Sequence, residues 1–259
     1  MTPARRKKPA PRSHTPKEAG WFGYQPIDPA EKTARVGQVF ASVAPSYDLM
    51  NDLMSLGIHR LWKRRFAAMV SPKGKEVILD VAGGTGDISF LLRSLAPQAD
   101  ITVCDINPEM LKVGRSRALD RGITDVEFIE GNAEKLPIKS NSVDVYTIAF
   151  GLRNVTNIDA ALREAKRVLK PGGRFFCLEF SKVAPALKPF YDMYSFGLLP
   201  RLGRYVANDE ESYRYLAESI RQFPPQAELA TRMEKAGLRD VAYTNMSGGI
   251  VALHRGRKA

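Results

Sequence analysis

The chain has 259 residues, 44% of them apolar and 26% charged, with a net charge of +11. That length buries a sizeable core without disulfides or metals, and the composition excludes collagen-like, coiled-coil and wholly disordered chains. Two cysteines, Cys104 and Cys177, and three scattered histidines do not make a disulfide framework or a structural zinc site, so no metal is expected.

Residues 1–20 hold six basic residues, one acid and four prolines. They predict a disordered basic tail, ahead of a single domain over 21–259 whose part 21–70 is a helical lid. The start lacks the apolar core of a secretory signal. The longest run free of Asp, Glu, Lys and Arg, Val241–His254, is too short to span a bilayer. A cytoplasmic protein follows, at most peripheral to the inner membrane.

Helices are predicted over Gln38–Tyr47 and Asp48–Met69. Glu76–Val81 reads as a buried strand, Asp87–Leu95 as a helix and Ile101–Cys104 as a second strand. Pro108–Arg121 is a helix opened by Asn107 as cap. Strands follow at Val126–Ile129 and Val143–Ala149. Ile158–Leu169 is a helix stopped by Lys170-Pro171-Gly172-Gly173. Phe175–Phe180 is a fifth strand, and weaker strands at Val241–Thr244 and Ile250–His254 make seven. This alternation predicts an α/β fold with a mostly parallel seven-stranded sheet and helices on both faces.

In such sheets ligands bind beyond the carboxyl ends of the strands, at the topological switch point. The turn after the first strand carries Gly83, Gly84 and Gly86, which allow close backbone approach to a ligand. Asp105 ends the second strand, where an acid accepts ribose hydroxyls. Together they indicate a nucleoside-containing cofactor. The dinucleotide and P-loop patterns both fail, since Ser89 stands where the former needs glycine and no Gly-Lys-Ser/Thr occurs. Asp87 at the helix start repels a pyrophosphate and suits a cationic cofactor such as S-adenosylmethionine, with Asp80 adding negative charge. Asn132-Ala133 is placed to flank an adenine. Asp48, Asn51, Ser55, His59 and Trp62 share one helical stripe, beside an apolar stripe of Tyr47, Met50, Met54, Ile58 and Leu61. Gly57 is a potential break in both.

Two stretches are more specific. One is Tyr47-Asp48-x-Met50-Asn51-x-x-Met54-Ser55-x-x-x-His59-x-x-Trp62. The other is Arg167-Val-Leu-Lys-Pro-Gly-Gly173-x-Phe-x-x-Leu-Glu179-x-Ser181. With Ala82–Asp87 and Phe150–Val155, they make the chain resemble the ubiquinone/menaquinone biosynthesis C-methyltransferases. That family is a branch of the class I S-adenosylmethionine-dependent methyltransferases, which have a Rossmann-like fold. The resemblance implies C-methylation of a polyprenylated benzoquinol (2-methoxy-6-polyprenyl-1,4-benzoquinol), demethylmenaquinol, or both.

It also implies cofactor contacts at Thr85, Asp105, Asn132 and Ala133, around the glycines at 83, 84 and 86. Arg153 is expected to stabilise a developing phenolate or to orient a water, and Asn154 to orient the ring. Asp48 is a candidate base. Tyr47, Asn51, His59 and Tyr194 are expected to line a substrate lid. The Phe190–Tyr205 segment and the basic residues Arg60, Lys63, Arg64 and Arg65 suggest peripheral contact with anionic lipid. A homodimer or a quinone-biosynthesis complex is a further expectation. A nucleic-acid methyltransferase would explain the charge, but no Pro-Pro-aromatic motif follows the fourth strand, and no nucleic acid is expected. A non-enzymatic scaffold conflicts with the intact glycine turn and Asp105.

Overall fold

The computed structural model describes residues 20–43, 51–52, 55–193, 197 and 210–259. Tyr47, Asp48 and Tyr194, with most of the basic tail, lie outside the described residues.

A hairpin of β1 (Gly20–Phe22) and β2 (Gln25–Ile27) precedes helix α1 (Pro29–Val43). This helix starts earlier than the expected Gln38–Tyr47, because Pro29 stands in a first turn where a missing N–H costs nothing. The helix expected over Asp48–Met69 is broken. Leu56 and Gly57 have φ of 49° and 77°, and a helix resumes as α2 (His59–Val70). Ser55 Oγ accepts from the His59 N–H at 3.1 Å, satisfying one donor at the new helix start.

The sheet domain follows in the expected alternation. It runs β3 (Val77–Val81), α3 (Asp87–Leu95), β4 (Asp100–Asp105), α4 (Pro108–Asp120), β5 (Val126–Glu130) and β6 (Val143–Ala149). Asn107 caps α4 by accepting from the Glu109 and Met110 N–H groups, a cap worth about 1 kcal/mol. After α5 (Ile158–Val168) comes β7 (Leu169–Phe180). It is longer than the expected Phe175–Phe180 because Lys170–Gly173 forms a bulge within the strand: Val143 pairs with Leu169, whereas Val145 already pairs with Arg174.

The chain closes with α6 (Lys188–Asp192), α7 (Glu210–Gln222), α8 (Gln226–Lys235), β8 (Leu238–Met246) and β9 (Val251–Lys258). The last two strands outrun their expected lengths. Tyr243, Thr244 and Asn245 are exposed on edge strand β8, so its sequence lacks the apolar run of a buried strand.

The seven strands lie in the order β5-β4-β3-β6-β7-β9-β8. Six of them point the same way, and β9 runs antiparallel to its neighbours β7 and β8. Connections from β3 lead outward to β4 and β5, whereas β6 lies on its other side, so the order reverses between β3 and β6. Side chains alternate across the sheet. Ile78, Ile101 and Val103 pack with Phe66, Leu92 and Leu111 on one face. Leu79, Val81 and Tyr146 pack with Leu162, Val168 and Leu229 on the other.

Candidate active site

A cleft of about 790 Å³, counted out to its open mouth, lies at this reversal. Its floor comes from the turns after four neighbouring strands: Val81, Ala82 and Gly84; Asp105–Asn107; Gly131–Ala133; and Phe150, Gly151 and Asn154. Thr33, Val36, Gly37 and Phe40 of α1 form the roof. These four share one face at helical spacing. That periodicity is present in the sequence, three of the four residues lying ahead of the expected helix start at Gln38.

Asp105 is the buried anion of the cleft. Its Oδ2 accepts from the Gly84 N–H at 2.9 Å and its Oδ1 from the Asn107 N–H at 2.8 Å. Burial pushes its carboxyl up to about 6 against these bonds. Each oxygen keeps acceptor capacity. Gly84 has φ +52°, and a Cβ there would lie 3.1 Å from Met110 Cε and 3.8 Å from Asp105 Oδ2, filling the cradle beside the carboxylate. Asn132 Oδ1 accepts from the Glu134 N–H at 2.8 Å, which folds the turn and presents Ala133 to the cleft.

Other expected cofactor residues stand behind the turn. Thr85 is buried, and its Oγ1 accepts from Arg117 Nη1 at 3.2 Å. Asp87 is not among the residues lining the cleft: Lys63 Nζ of α2 donates to its Oδ2 at 2.7 Å, and Arg117 Nη1 lies 3.7 Å from its Oδ1. The expected attraction between Asp87 and a cationic cofactor is thus met by two protein cations instead. Asp80 is fully buried, and its carboxylate accepts from Ser89 and Thr147 at 2.8 Å each. Burial pushes it up to about 6. It holds α3 and β6 rather than facing a ligand. Gly83 and Gly86 are required by packing. A Cβ on Gly83 would lie 2.8 Å from Val103 Cγ1, and one on Gly86 2.9 Å from Phe90 Cζ.

Arg153 is placed differently from expectation. Its Nη1 lies 3.0 Å from Glu179 Oε1 at the end of β7, with both side chains almost wholly buried, and it also donates to the Phe150 carbonyl. The guanidinium stacks 5.4 Å over Phe180. Arg153 lines a neighbouring cavity with Lys32 and Tyr215, not the main cleft. Asn154 does line the cleft, and its Oδ1 accepts from Tyr215 at 3.0 Å. Burial pushes the Tyr215 phenol up to about 12, so it remains a donor. Glu179 was visible in the sequence as a motif residue; Tyr215 carried no signal.

The lid stripe is split by the turn at Leu56–Gly57. The Asn51 carbonyl accepts from Ser55 Oγ at 2.7 Å. His59 is buried, with Nε2 2.9 Å from Asp52 Oδ1, and burial holds its imidazole below the usual range despite that partner. Neither lines the cleft. What fastens the roof is α1. Lys32 Nζ donates to the Val155 carbonyl at 3.0 Å, Thr33 and Thr156 hydroxyls lie 3.2 Å apart, and Asn107 Nδ2 donates to the Gly37 carbonyl at 3.1 Å. Among the described residues no three His, Cys, Asp or Glu groups are placed to hold a metal, and no helix is long and apolar enough to cross a membrane.

Strand order, glycine turn and an acid ending the neighbouring strand define a class I S-adenosylmethionine-dependent methyltransferase. Solved structures agree on the fold. An S-adenosylmethionine-dependent methyltransferase of Thermotoga maritima matches with a TM-score of 0.64 at 18% identity, covering 86% of this chain and 100% of that one. The [4+2]-cyclase SpnF matches with a TM-score of 0.63 at 17% identity, covering 86% of this chain and 94% of that one. A phosphoethanolamine N-methyltransferase of Haemonchus contortus, solved with S-adenosylmethionine, matches at 0.56 and 12% identity, covering 76% of this chain and 52% of that one.

The ubiE/COQ5 methyltransferase family model matches residues 29–258, and the chain belongs to that family. Proteins named ubiquinone/menaquinone biosynthesis C-methyltransferase from Brucella abortus and Brucella anthropi are 53% and 52% identical over 242 residues. Each match covers 92% of this chain, and 90% and 92% of the relatives respectively. The cofactor is S-adenosylmethionine, and the residues fit it. Asp105 offers a buried carboxylate for paired hydroxyls, Gly84 leaves the cradle open, and Ala133 gives an apolar wall.

Proposed function

We propose that this chain methylates a ring carbon of a polyprenylated quinol: 2-methoxy-6-polyprenyl-1,4-benzoquinol, demethylmenaquinol, or both. The observation that carries the reading is 53% identity across 92% of the chain to relatives bearing the quinone-biosynthesis name. S-adenosylmethionine, when bound, supplies an electrophilic methyl group on a sulfonium. Asp105 accepts the ribose hydroxyls, and the Asn132-Ala133 turn flanks the adenine. Gly84 allows close approach, while Gly83, Gly86 and Thr85 set the shape of the turn.

The acceptor ring carbon attacks the methyl carbon. With the cofactor bound, a new C–C bond would form as the S–C bond broke, S-adenosylhomocysteine would leave, and the proton lost by the quinol would pass to the base. Asn154, held by Tyr215, orients a ring hydroxyl. Arg153, paired with Glu179 behind the cleft, acts on the ring only through the turn it fixes, which carries Phe150 and Asn154. Phe150, packed against Phe180 at 4.9 Å between ring centroids and against Trp62 at 6.3 Å, supplies an apolar wall that excludes water. Asp48, Tyr47 and Tyr194 belong to the lid side of this reading, with Asp48 as the base. Asn51 and His59 shape the turn that carries the lid.

The polyprenyl tail implies contact with a lipid surface. Leu56 and Leu61 are 72% and 65% exposed, next to the exposed Arg64 and Arg65 of α2. That combination suits a cytoplasmic enzyme peripheral to an anionic membrane.

The test is methyl transfer from labelled S-adenosylmethionine to short-tailed, chemically reduced benzoquinol and naphthoquinol acceptors. Label on a ring carbon of either is expected, and the ratio of rates ranks the two. Absence of label in both overturns the reading.

A further inference from the structure

The ion pair Lys63–Asp87 joins α2 to α3 largely out of solvent: the side chains are 9% and 23% exposed, and Nζ lies 2.7 Å from Oδ2. Burial pushes the Asp87 carboxyl up, yet Lys63, Arg117 and Arg121 hold it below the usual range. Asp87 is the first residue of α3 and follows Gly86 directly. The glycine turn therefore has two sides. On the cleft side Gly84 N–H meets Asp105. On the other, Arg117 of α4 binds Thr85 and Lys63 of α2 binds Asp87.

The turn needs such support. Gly84 and Gly86 take positive φ without strain, but Ala82 beside them has φ +50°, which a residue with a side chain keeps only when its surroundings fix it. α2 itself is anchored at the far end of the chain, where Trp62 Nε1 donates to Ser247 Oγ at 2.9 Å. It follows directly on the segment containing Asn51 and Ser55.

We infer that Lys63 and Asp87 are positioning residues for the cofactor: through this pair, α2 holds the back of the glycine turn in the shape its front needs to bind S-adenosylmethionine. The inference rests on the methyltransferase reading of the cleft but not on the identity of the acceptor.

The experiment is a double-mutant cycle on the full chain with Lys63→Met, Asp87→Asn and both together. The readouts are S-adenosylhomocysteine affinity by calorimetry and hydrogen exchange of the Gly83–Gly86 amides without ligand. Each single variant is expected to weaken affinity by about tenfold, within the range of coupled neighbours, and the double variant no more than the worse single one. Exchange at the turn rises in step, while α5 and α8 keep their protection. Lys63→Arg, which keeps the charge, restores most of the affinity.

If the variants lower the melting temperature but bind with unchanged affinity, the pair is structural only and the inference fails. Additive losses in the cycle, or loss with no change in turn exchange, also overturn it. Should a variant not fold, Asp87→Glu, which keeps the charge and alters the reach to Lys63, carries the same comparison, with a shift in affinity and in turn exchange expected together. No binding of S-adenosylhomocysteine by the unaltered protein defeats the methyltransferase reading instead, which separates the two failures.

Discussion

The guanidinium of Arg153 and the carboxylate of Glu179 meet at 3.0 Å with side chains 4% and 1% exposed. The backbone N–H of Arg153 also donates to Glu179 Oε2 at 3.2 Å. A turn after β6 is thereby tied to the end of β7. Burial pushes the Glu179 carboxyl up, and Arg153 opposes it.

Removing the cation leaves that carboxyl buried alone. Arg153→Ala is expected to destabilise the fold by roughly 3–5 kcal/mol, the cost of breaking a buried pair from one side. The loss grows as pH rises. The native state keeps a proton on Glu179 that the unfolded chain releases, so stability falls through that window. Urea denaturation at several pH values measures it. A loss equal at acid and alkaline pH would contradict the buried-carboxyl account.

Asp105 sets a pH dependence of the opposite kind for binding. Its carboxyl is pushed up to about 6 by burial. Below that pH it carries a proton, and one of its acceptor sites becomes a donor. Affinity for S-adenosylhomocysteine is expected to fall below pH 6, by at most about tenfold per pH unit. Stability of the ligand-free protein moves the other way. Asp80 and Asp105 bind protons in the native state that the unfolded chain has lost, so their contribution declines as pH climbs toward about 6. Calorimetric titration between acid and neutral pH checks the first, and flat affinity there would remove Asp105 from ribose recognition.

Gly151 and Ala82 press together at the reversal of strand order. A Cβ on Gly151 would collide with the Ala82 Cβ, and Ala82 already has φ +50°. Gly151→Ala is expected to cost about 1–3 kcal/mol through overpacking. Ala82→Gly, which removes both the clash and the left-handed strain, is expected to recover most of it. Thermal melts of the single and double variants give the answer. Equal loss in the single and double variants would place the strain elsewhere.

Lys32 holds the roof. Its ammonium is buried and bonded to the Val155 carbonyl, and burial lowers its pKa, against the pull of Glu134. Lys32→Met keeps the length of the stem and removes the bond. A hydrogen bond to a charged group is worth about 1.5–3 kcal/mol. Faster cofactor dissociation, by tenfold or more, is the expected result in stopped-flow displacement. An unchanged off-rate would mean that Thr33 and Asn107 suffice.

The sheet was legible because its buried strands are unbroken apolar runs ending at the turns that build the cleft. Asp105 and Gly84 were legible for the same reason: a residue that ends a parallel strand points to the switch point whatever the tertiary detail. Asp87 and Arg153 were not. Their neighbours in space, Lys63 and Glu179, lie 24 and 26 residues away, and no local pattern tells a carboxylate which cation it will meet. The roof was not legible either, because Thr33, Val36 and Gly37 precede Gln38, where the local pattern first reads as helical. The break at Gly57 was marked by the glycine, but the reorientation of His59 toward Asp52 depends on the turn's actual path.

Trp62 and Ser247 share a hydrogen bond across 185 residues. Ser247 stands in the turn between β8 and β9, and β9 itself pairs with β7 along its length. A nascent chain leaving the ribosome carries α2 from early on, and its indole meets the rings of Phe150 and Phe180 before the hydrogen-bond partner Ser247 emerges. Assembly of the parallel core seats this helix, but completion of synthesis is the event that satisfies its indole N–H, and a premature stop before Ser247 leaves that donor without its partner.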